Sequence, residues 1–404
     1  MNLILFSLPW ILVALYLVLF FRNPRDIPAS EGDRAIDLPF VSIIVPARNE
    51  EVNIEGCVSS LTALDYPDFE ILVVDDESLD RTAEIVEGLP PGNASRLELV
   101  RGARPPEGWI GKPWACWQGA RQAEGKILLF TDADTVHAPG LLRQVVVGLE
   151  RDDADVYTLV GRQVMGSFWE RVVQPQFFML LAARYPRAGN PKAPHQWKNA
   201  IANGQYLLFT RDAYESSGGH ETVAREVVED LRYAQVLVRG GWRLVMRATE
   251  GLQTRMYRSL PDLVAGWSKN VTTGALQTTT DWLLPIILPF SFLTGVTLWL
   301  LPPAVFGWAL LTGTGGIVLS WGALTTGLSV VLWCSASVLM KSNPFYGFLY
   351  PLGALIGLYI FIISWRKGTR IQWKQRDYEV TQQTRVRPPD HPAAEDAEGR
   401  PSGT

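Results

Sequence analysis

The chain has 404 residues, which leaves room for more than one domain. A formal net charge of -4 gives no basis for bulk electrostatic attraction to nucleic acid. Its three cysteines, Cys57, Cys116 and Cys334, are too widely spaced for a disulfide framework or a cysteine metal site, so the polar part is expected in a reducing compartment.

Residues 1–21 carry no charged side chain, and Arg22 and Arg25 follow. The segment lacks a basic n-region and a small-residue cleavage site, so it reads as an uncleaved transmembrane anchor with a linker over 22–37. Residues 38–280 then alternate strand and helix patterns, which predicts an α/β domain with a mostly parallel sheet. Val41–Pro46 reads as the first strand, and Ile54, Cys57, Val58, Leu61 and Leu64 follow at helical spacing. Phe69–Val74 is the second strand, Thr82–Leu89 a short helix and Leu97–Val100 a third strand. A helix around Trp114–Ala123 leads into the strand that ends at Asp132, and Val156–Val160, Gln205–Phe209 and Trp242–Met246 are later strands.

Between Asp281 and Lys341, and again from Ser342 to Trp365, no charge interrupts the chain. Residues 281–366 therefore read as a transmembrane bundle. Basic residues mark the cytoplasmic side, so Arg22 and Arg25 at one end and Arg366–Arg370 at the other require an even number of spans in this bundle. Four are expected, at Trp282–Leu301, Ala304–Ser320, Trp321–Met340 and Phe345–Trp365. The tail, 367–404, reads as basic and then disordered from about Arg376, where Pro, Ala, Glu and Asp dominate. The whole is expected to be an integral membrane protein of a bacterial-type inner or plasma membrane, with its α/β domain in the cytoplasm.

Three of the predicted strands end in polar clusters: P-A-R-N-E at 46–50, D-D-E-S at 75–78 and D-A-D at 132–134. Parallel strands bring such ends to one edge, where open α/β sheets bind ligands. Two carboxylates one residue apart there, Asp132 and Asp134, suit a divalent cation bridging to a phosphate. The competing reading is an acidic loop in which Asp134 or Thr135 caps a helix starting near Ala138. A lysine-bearing loop, G-K-P-W at 111–114, stands among the acids. No G-x-G-x-x-G or G-x-x-x-x-G-K-[ST] segment is present, which argues against a dinucleotide enzyme or a P-loop NTPase.

Over roughly residues 40–270 the chain resembles the family 2 glycosyltransferases, inverting enzymes with a nucleotide-sugar-binding GT-A fold. V-S-I-I-V-P-A-R-N-E, E-I-L-V-V-D-D-E-S-L-D-R-T, G-K-P-W-A, D-A-D, N-G-Q-Y and V-V-E-D carry the resemblance in that order. The anchor and bundle, with G-W-I-G-K-P-W-A and R-M-Y-R-S-L…G-W-S-K-N, are similar to the membrane-bound subgroup associated with hopanoid and carotenoid lipids. The Q-x-x-R-W motif of the polymerising relatives is absent, and Gly266-Trp267-Ser268-Lys269 stands near its place, which counts against processive polymerisation.

The resemblance implies a role for each matching position. Asp76, with Asp75 behind it, would hold the base or ribose of a UDP- or GDP-sugar, and Pro46, Arg48 and Glu50 would wall the base. Lys112 would meet the diphosphate, Asp132 the ribose or sugar, and Asp134 would hold Mg²⁺ or Mn²⁺. Asp230, beside Glu229, would be the general base, and Asn203, Gly204 and Gln205 would line the acceptor side. Arg255, Arg258, Trp267 and Lys269 would close over the diphosphate, or else belong to an interfacial helix near 255–280. Phe168–Tyr185 with Arg187, Lys192 and Lys198 would form a second membrane-surface segment near 168–198. The expected activity is sugar transfer to a membrane lipid, with no nucleic-acid partner. The alternatives are a polyprenyl-phosphate sugar synthase, or a membrane scaffold with a dead GT-A domain.

Overall fold

The computed structural model describes residues 2–20, 26–27, 38–185, 197–278, 284–367, 370–373 and 376–379. Arg22, Arg25, Arg187, Lys192, most of the expected linker and the tail beyond 379 lie outside them, as does the side chain of Lys198. In chain order the elements are α1 (Asn2–Phe20), β1 (Val41–Ala47), α2 (Ile54–Thr62), β2 (Phe69–Asp75), α3 (Thr82–Glu87), β3 (Arg96–Arg101), α4 (Gly111–Gln122), β4 (Ile127–Phe130), β5 (Thr135–His137), α5 (Leu141–Arg151), β6 (Val156–Gln163) and α6 (Phe168–Arg184). There follow β7 (Leu207–Thr210), α7 (Arg211–Ser216), α8 (Glu229–Arg239), β8 (Leu244–Thr254), α9 (Leu260–Thr278), α10 (Leu284–Gly295), α11 (Leu301–Thr312), α12 (Gly316–Leu339), α13 (Tyr350–Lys367) and a hairpin of β9 (Arg370–Trp373) and β10 (Arg376–Glu379).

The chain divides into two compact units, one of Asp26–Val160 with Pro191–Leu252 and another of the N-terminal helix, Gly161–Asn190 and Gln253–Glu379. Of the stretch expected as one domain, Gly161–Asn190 and the chain from Gln253 group with the second unit, where α6 and α9, anticipated as interfacial helices, pack against α13.

In the first unit the sheet runs β3-β2-β1-β4-β7-β6-β8-β5. β1 pairs in parallel with β2 and β4, and β2 with β3, whereas β7 is antiparallel to both β4 and β6. This is the α/β, mostly parallel architecture expected. Val41, Ile43, Ile44 and Val45 of β1 and every residue of β2 are buried, because helices cover both faces of the parallel half. Each such aliphatic side chain contributes roughly 1.5–3 kcal/mol relative to exposure. Ser42, Glu70 and Asp75 are the polar exceptions; Ser42 Oγ donates to Glu70 Oε1 at 2.6 Å and accepts the Gly125 N–H at 2.7 Å, so neither of these two is left unsatisfied.

α4 lies on β1 and β2 through Gly119, where an added Cβ would meet Ile44 Cγ2 at 2.5 Å and Val74 Cγ2 at 2.9 Å. Gly119→Ala should therefore lift the helix from the sheet and cost about 1–3 kcal/mol by overpacking. Chemical denaturation measures this, and an unchanged midpoint would show that the helix is not held there by close packing.

Among the described residues three helical runs are long and apolar enough to cross a membrane, Pro289–Thr312, Gly316–Leu339 and Pro344–Arg366. The separate spans expected at Trp282–Leu301 and Ala304–Ser320 correspond to one run, α10, a π-turn at Val296–Leu300, and α11. Pro302 and Pro303 fall in the first turn of α11, beyond the π-turn, where proline's missing N–H and fixed φ are tolerated. The hydroxyls of Thr325, Ser329 and Ser337 in α12 donate to the carbonyls of Trp321, Thr325 and Trp333, so these polar groups are satisfied within the helix. Arg376–Glu379, expected to be disordered, pairs as β10 with β9.

Candidate functional site

β1, β2 and β4 run parallel, so Pro46, Asp75 and Asp132 arrive at one sheet edge. The first two loops are fastened together. Arg48, 7% exposed, donates to the carbonyls of Asp76 and Glu77, the latter at 2.9 Å. Asn49 and Glu77 both take the left-handed backbone (φ 50° and 54°), which lets the Asn49 N–H reach Ser78 Oγ and Asn49 Oδ1 accept from Leu79 N–H. Asp75 Oδ1 accepts the Ser78 N–H at 3.3 Å, so Asp75 closes its own turn, and Arg81 occupies the N-cap of α3. Glu50 donates its N–H to Thr82 Oγ1 and accepts from Asn53 at the start of α2.

Asp132, Ala133 and Asp134 form the turn between β4 and β5. Gly140 is the N-cap of α5, so neither Asp134 nor Thr135 caps that helix. Thr135 instead donates to the Asp132 carbonyl at 2.7 Å, and Thr131 to the Gln205 carbonyl at 2.7 Å. His137 Nε2 lies 3.1 Å from Thr131 Oγ1 and 3.0 Å from Thr135 Oγ1, and burial lowers its pKa to about 3. With both threonine hydrogens committed to carbonyls, the neutral imidazole is the donor of this trio.

Lys112 was expected in a loop, but α4 begins at Gly111, because Pro113 sits within the first turn where no intrahelical N–H is needed. Lys112 Nζ lies 2.7 Å from Asp132 Oδ1 and 2.6 Å from Glu229 Oε1. Burial alone would depress the lysine, yet Asp132, Glu229 and Asp230 outweigh it and hold the ammonium well above its ordinary range. Glu229 and Asp230 form the first turn of α8, where the helix dipole favours acids. Asp230 Oδ2 accepts the Gly204 N–H at 2.8 Å, and its Oδ1 the Leu231 N–H at 2.8 Å. Burial, then the charge of Glu229, raises its pKa to about 6 against the opposing pull of Lys112 and both N–H groups. A Cβ added at Gly204 would come within 3.0 Å of Lys112 Nζ and 3.2 Å of Asp230 Oδ2. The glycine lets these two side chains approach closely, and it also lies in the turn closed by the Tyr206 N–H on the Asn203 carbonyl.

A pocket gathers Pro46, Lys112, Asp132, Gly204, Glu229 and Asp230. Arg48, Glu50, Asp75, Asp76, Asp134, Asn203 and Gln205 stand in the elements around it without lining it. Asn203 is tied to β6, its N–H donating to Thr158 Oγ1 and its amide to the Leu159 carbonyl. The four late residues belong to the other unit. There Arg255 makes a two-point pair with Glu170 (3.1 and 3.0 Å), and Trp267 is buried against Phe177 at 4.4 Å between ring centres. Arg258 is exposed and Lys269 half-buried.

His220, Tyr233 and Phe130 also line the pocket and were not singled out from the sequence. The signal for His220 was the Gly218-Gly219 pair before it, both at positive φ, which aims a short 3-10 turn at Gly219–Val223 inward. Among the described residues no group of three or more His, Cys, Asp or Glu side chains could hold a metal ion. Asp134, whose Oδ1 is fully buried, follows Asp132 in this turn.

Residues 42–216 match the model of the glycosyl transferase family 2. The chain is 26% identical to a 4,4'-diaponeurosporenoate glycosyltransferase of Staphylococcus haemolyticus (strain JCSC1435), over 61% of this chain and 65% of the relative, just under two thirds of that protein's length. It is also 26% identical to the protein of the same name from Staphylococcus aureus (strain USA300), over 85% of this chain and 89% of the relative. Among solved structures, a mannosyltransferase from Pyrobaculum calidifontis in complex with GDP-Man and Mn2+ is similar at 21% identity and a TM-score of 0.48, covering 86% of this chain and 94% of that one.

Proposed function

We propose, from the premise that residues 42–216 form a glycosyl transferase family 2 domain, that the chain moves a sugar from a UDP- or GDP-sugar onto a membrane lipid with inversion at the anomeric carbon. The observation that carries this reading is the flanking of Gly204 by a cation, Lys112, and a carboxylate, Asp230, whose pKa is raised to about 6. A base with a pKa near the working pH is suited to take the proton of an attacking hydroxyl. Lys112 offers a point charge to the diphosphate leaving group and releases Asp132 and Glu229 when it does so. Asp132, freed, can accept hydrogen bonds from the ribose or sugar, while Asp75 and Asp76 at the end of β2 serve the nucleoside, with Pro46, Arg48 and Glu50 beside it. Asn203, Gly204 and Gln205 form the acceptor side.

The residues present fit a cation shared with the substrate, because Mg²⁺ and Mn²⁺ accept one or two carboxylates and complete their shells with water and phosphate oxygens. Asp134 would hold it, and when bound it would neutralise charge building on the departing diphosphate. Removal of divalent cations with EDTA should abolish transfer, with activity returning on Mn²⁺ or Mg²⁺. Full activity in the chelator would refute the metal.

The long apolar helices support a lipid acceptor that need not leave the bilayer, of polycyclic isoprenoid or carotenoid type. In this reading the catalytic domain faces the cytoplasm. A second reading, with a carboxylate as the attacking group, is favoured by the acceptor in the relatives' name. Incubating membranes that contain the protein with labelled UDP- and GDP-sugars, and then analysing the lipid, tests the assignment. Labelled lipid that depends on the protein supports it, and its absence with every donor overturns it.

A further inference from the structure

The imidazole of His220 is held in one tautomer. It is 2% exposed and stacked edge-on against Phe130 at 4.5 Å between ring centres. Tyr214 Oη accepts the His220 backbone N–H at 3.3 Å and lies 2.9 Å from His220 Nδ1. Among the described residues Nδ1 is the one acceptor within reach of the Tyr214 hydroxyl hydrogen, so Tyr214 donates to Nδ1. Burial, and then the nearby Lys112, lowers the His220 pKa to about 3, so the ring is neutral and its proton sits on Nε2. That N–H has no hydrogen-bond acceptor among the described residues, and the side chain lines the pocket that holds Lys112, Asp132 and Asp230. Nε2 is not among the fully buried polar atoms that lack a partner, so its N–H is open to the pocket, where an arriving oxygen can accept it.

The acceptor must be neutral or anionic oxygen. The diphosphate is already met by Lys112, a full charge, whereas a fixed neutral donor is the group that distinguishes one hydroxyl arrangement from another. We propose that His220 donates from Nε2 to a hydroxyl of the transferred sugar and so selects the donor sugar, with Tyr214 as the residue that fixes its tautomer. This rests on the function proposed above.

The test uses the full-length protein in lipid nanodiscs, the nucleotide sugar it uses best, and that donor's single-deoxy analogues. His220→Phe keeps an aromatic ring among Phe130, Tyr214 and Tyr233 but removes the donor. It should lose roughly ten- to hundred-fold in kcat/KM on the parent sugar, the range for a buried polar group left unpaired. It should lose nothing further on the one deoxy analogue that lacks the contacted hydroxyl, on which the wild type is already slow. Affinity for free UDP or GDP should be unchanged. Tyr214→Phe frees the tautomer and should show a smaller loss with the same pattern across analogues. An equal loss on every analogue, weakened nucleoside diphosphate binding, or no loss at all overturns the inference alone. A wild type inert toward all nucleotide sugars overturns the proposed function and the inference with it.

Discussion

Asp230→Asn is expected to lower sugar transfer by on the order of 10²–10⁴, the contribution of a positioned general base, with two opposed effects on the stability of the fold. Asparagine has one oxygen where the carboxylate uses two, so it keeps the bond from either the Gly204 or the Leu231 N–H and turns its NH2 toward the other. What disappears is a buried carboxylate whose charge is opposed by desolvation and by Glu229. Because the folded protein raises this pKa to about 6, above the ordinary carboxylate value, the folded state binds the proton more tightly than the unfolded chain. Asp230 therefore contributes stability that is fully present at low pH and lost as pH rises through about 6, a loss the asparagine avoids. Catalysis has the opposite sign: the base works only when deprotonated, so kcat/KM should fall about tenfold per unit below pH 6 and level off above it. Thermal melts and a pH–rate profile check both. Near-normal turnover of the asparagine variant would mean that the attacking group is already an anion, a phosphate or carboxylate that needs no base.

Lys112→Met should be damaging in a different way. The lysine separates Asp132 and Glu229, which it meets at 2.7 and 2.6 Å, and removing it leaves two inward-facing carboxylates with no cation between them. Breaking a buried pair costs about 3–5 kcal/mol, and since Lys112 and Asp132 remain 21% and 28% exposed the loss should sit at or below the lower end. Adding Glu229→Gln should recover part of that stability in a double-mutant cycle without restoring transfer. The acidic limb of the Asp230 profile should also move upward, because Lys112 is the charge that, with the Gly204 and Leu231 N–H groups, lowers its pKa. A Lys112→Met protein of wild-type stability, with unchanged affinity for UDP and GDP, would show that the lysine holds neither the acids nor the diphosphate.

Much of this was legible in the sequence because β1, β2 and β4 are buried on both faces, and a run of apolar residues that stops at a carboxylate states both the strand and its end. The first turn of α8 was legible for a similar reason, with Glu229-Asp230 leading a helical apolar stripe. Three-residue β5 carries no period to read, and Pro113 disguised the true start of α4. His220 was missed because its neighbours Tyr214, Phe130 and Tyr233 come from separate segments, and only the tertiary fold joins them. For Arg255 the sequence does not distinguish a guanidinium that awaits a phosphate from one that, as here, pairs with Glu170.

The antiparallel pairing of β4 with β7 aligns Phe130 with Leu207, which brings the Asp132 turn beside Gly204 although the chain between them passes through the other unit. A ribosome therefore delivers the acidic turn well before the strand that completes the site. Until β7 emerges, β4 presents an open hydrogen-bonding edge, the kind of surface on which nascent chains pair with the wrong partner. Premature termination anywhere between Val156 and Leu207 should therefore yield chains that aggregate, not smaller stable domains, and such truncations should depend heavily on chaperones.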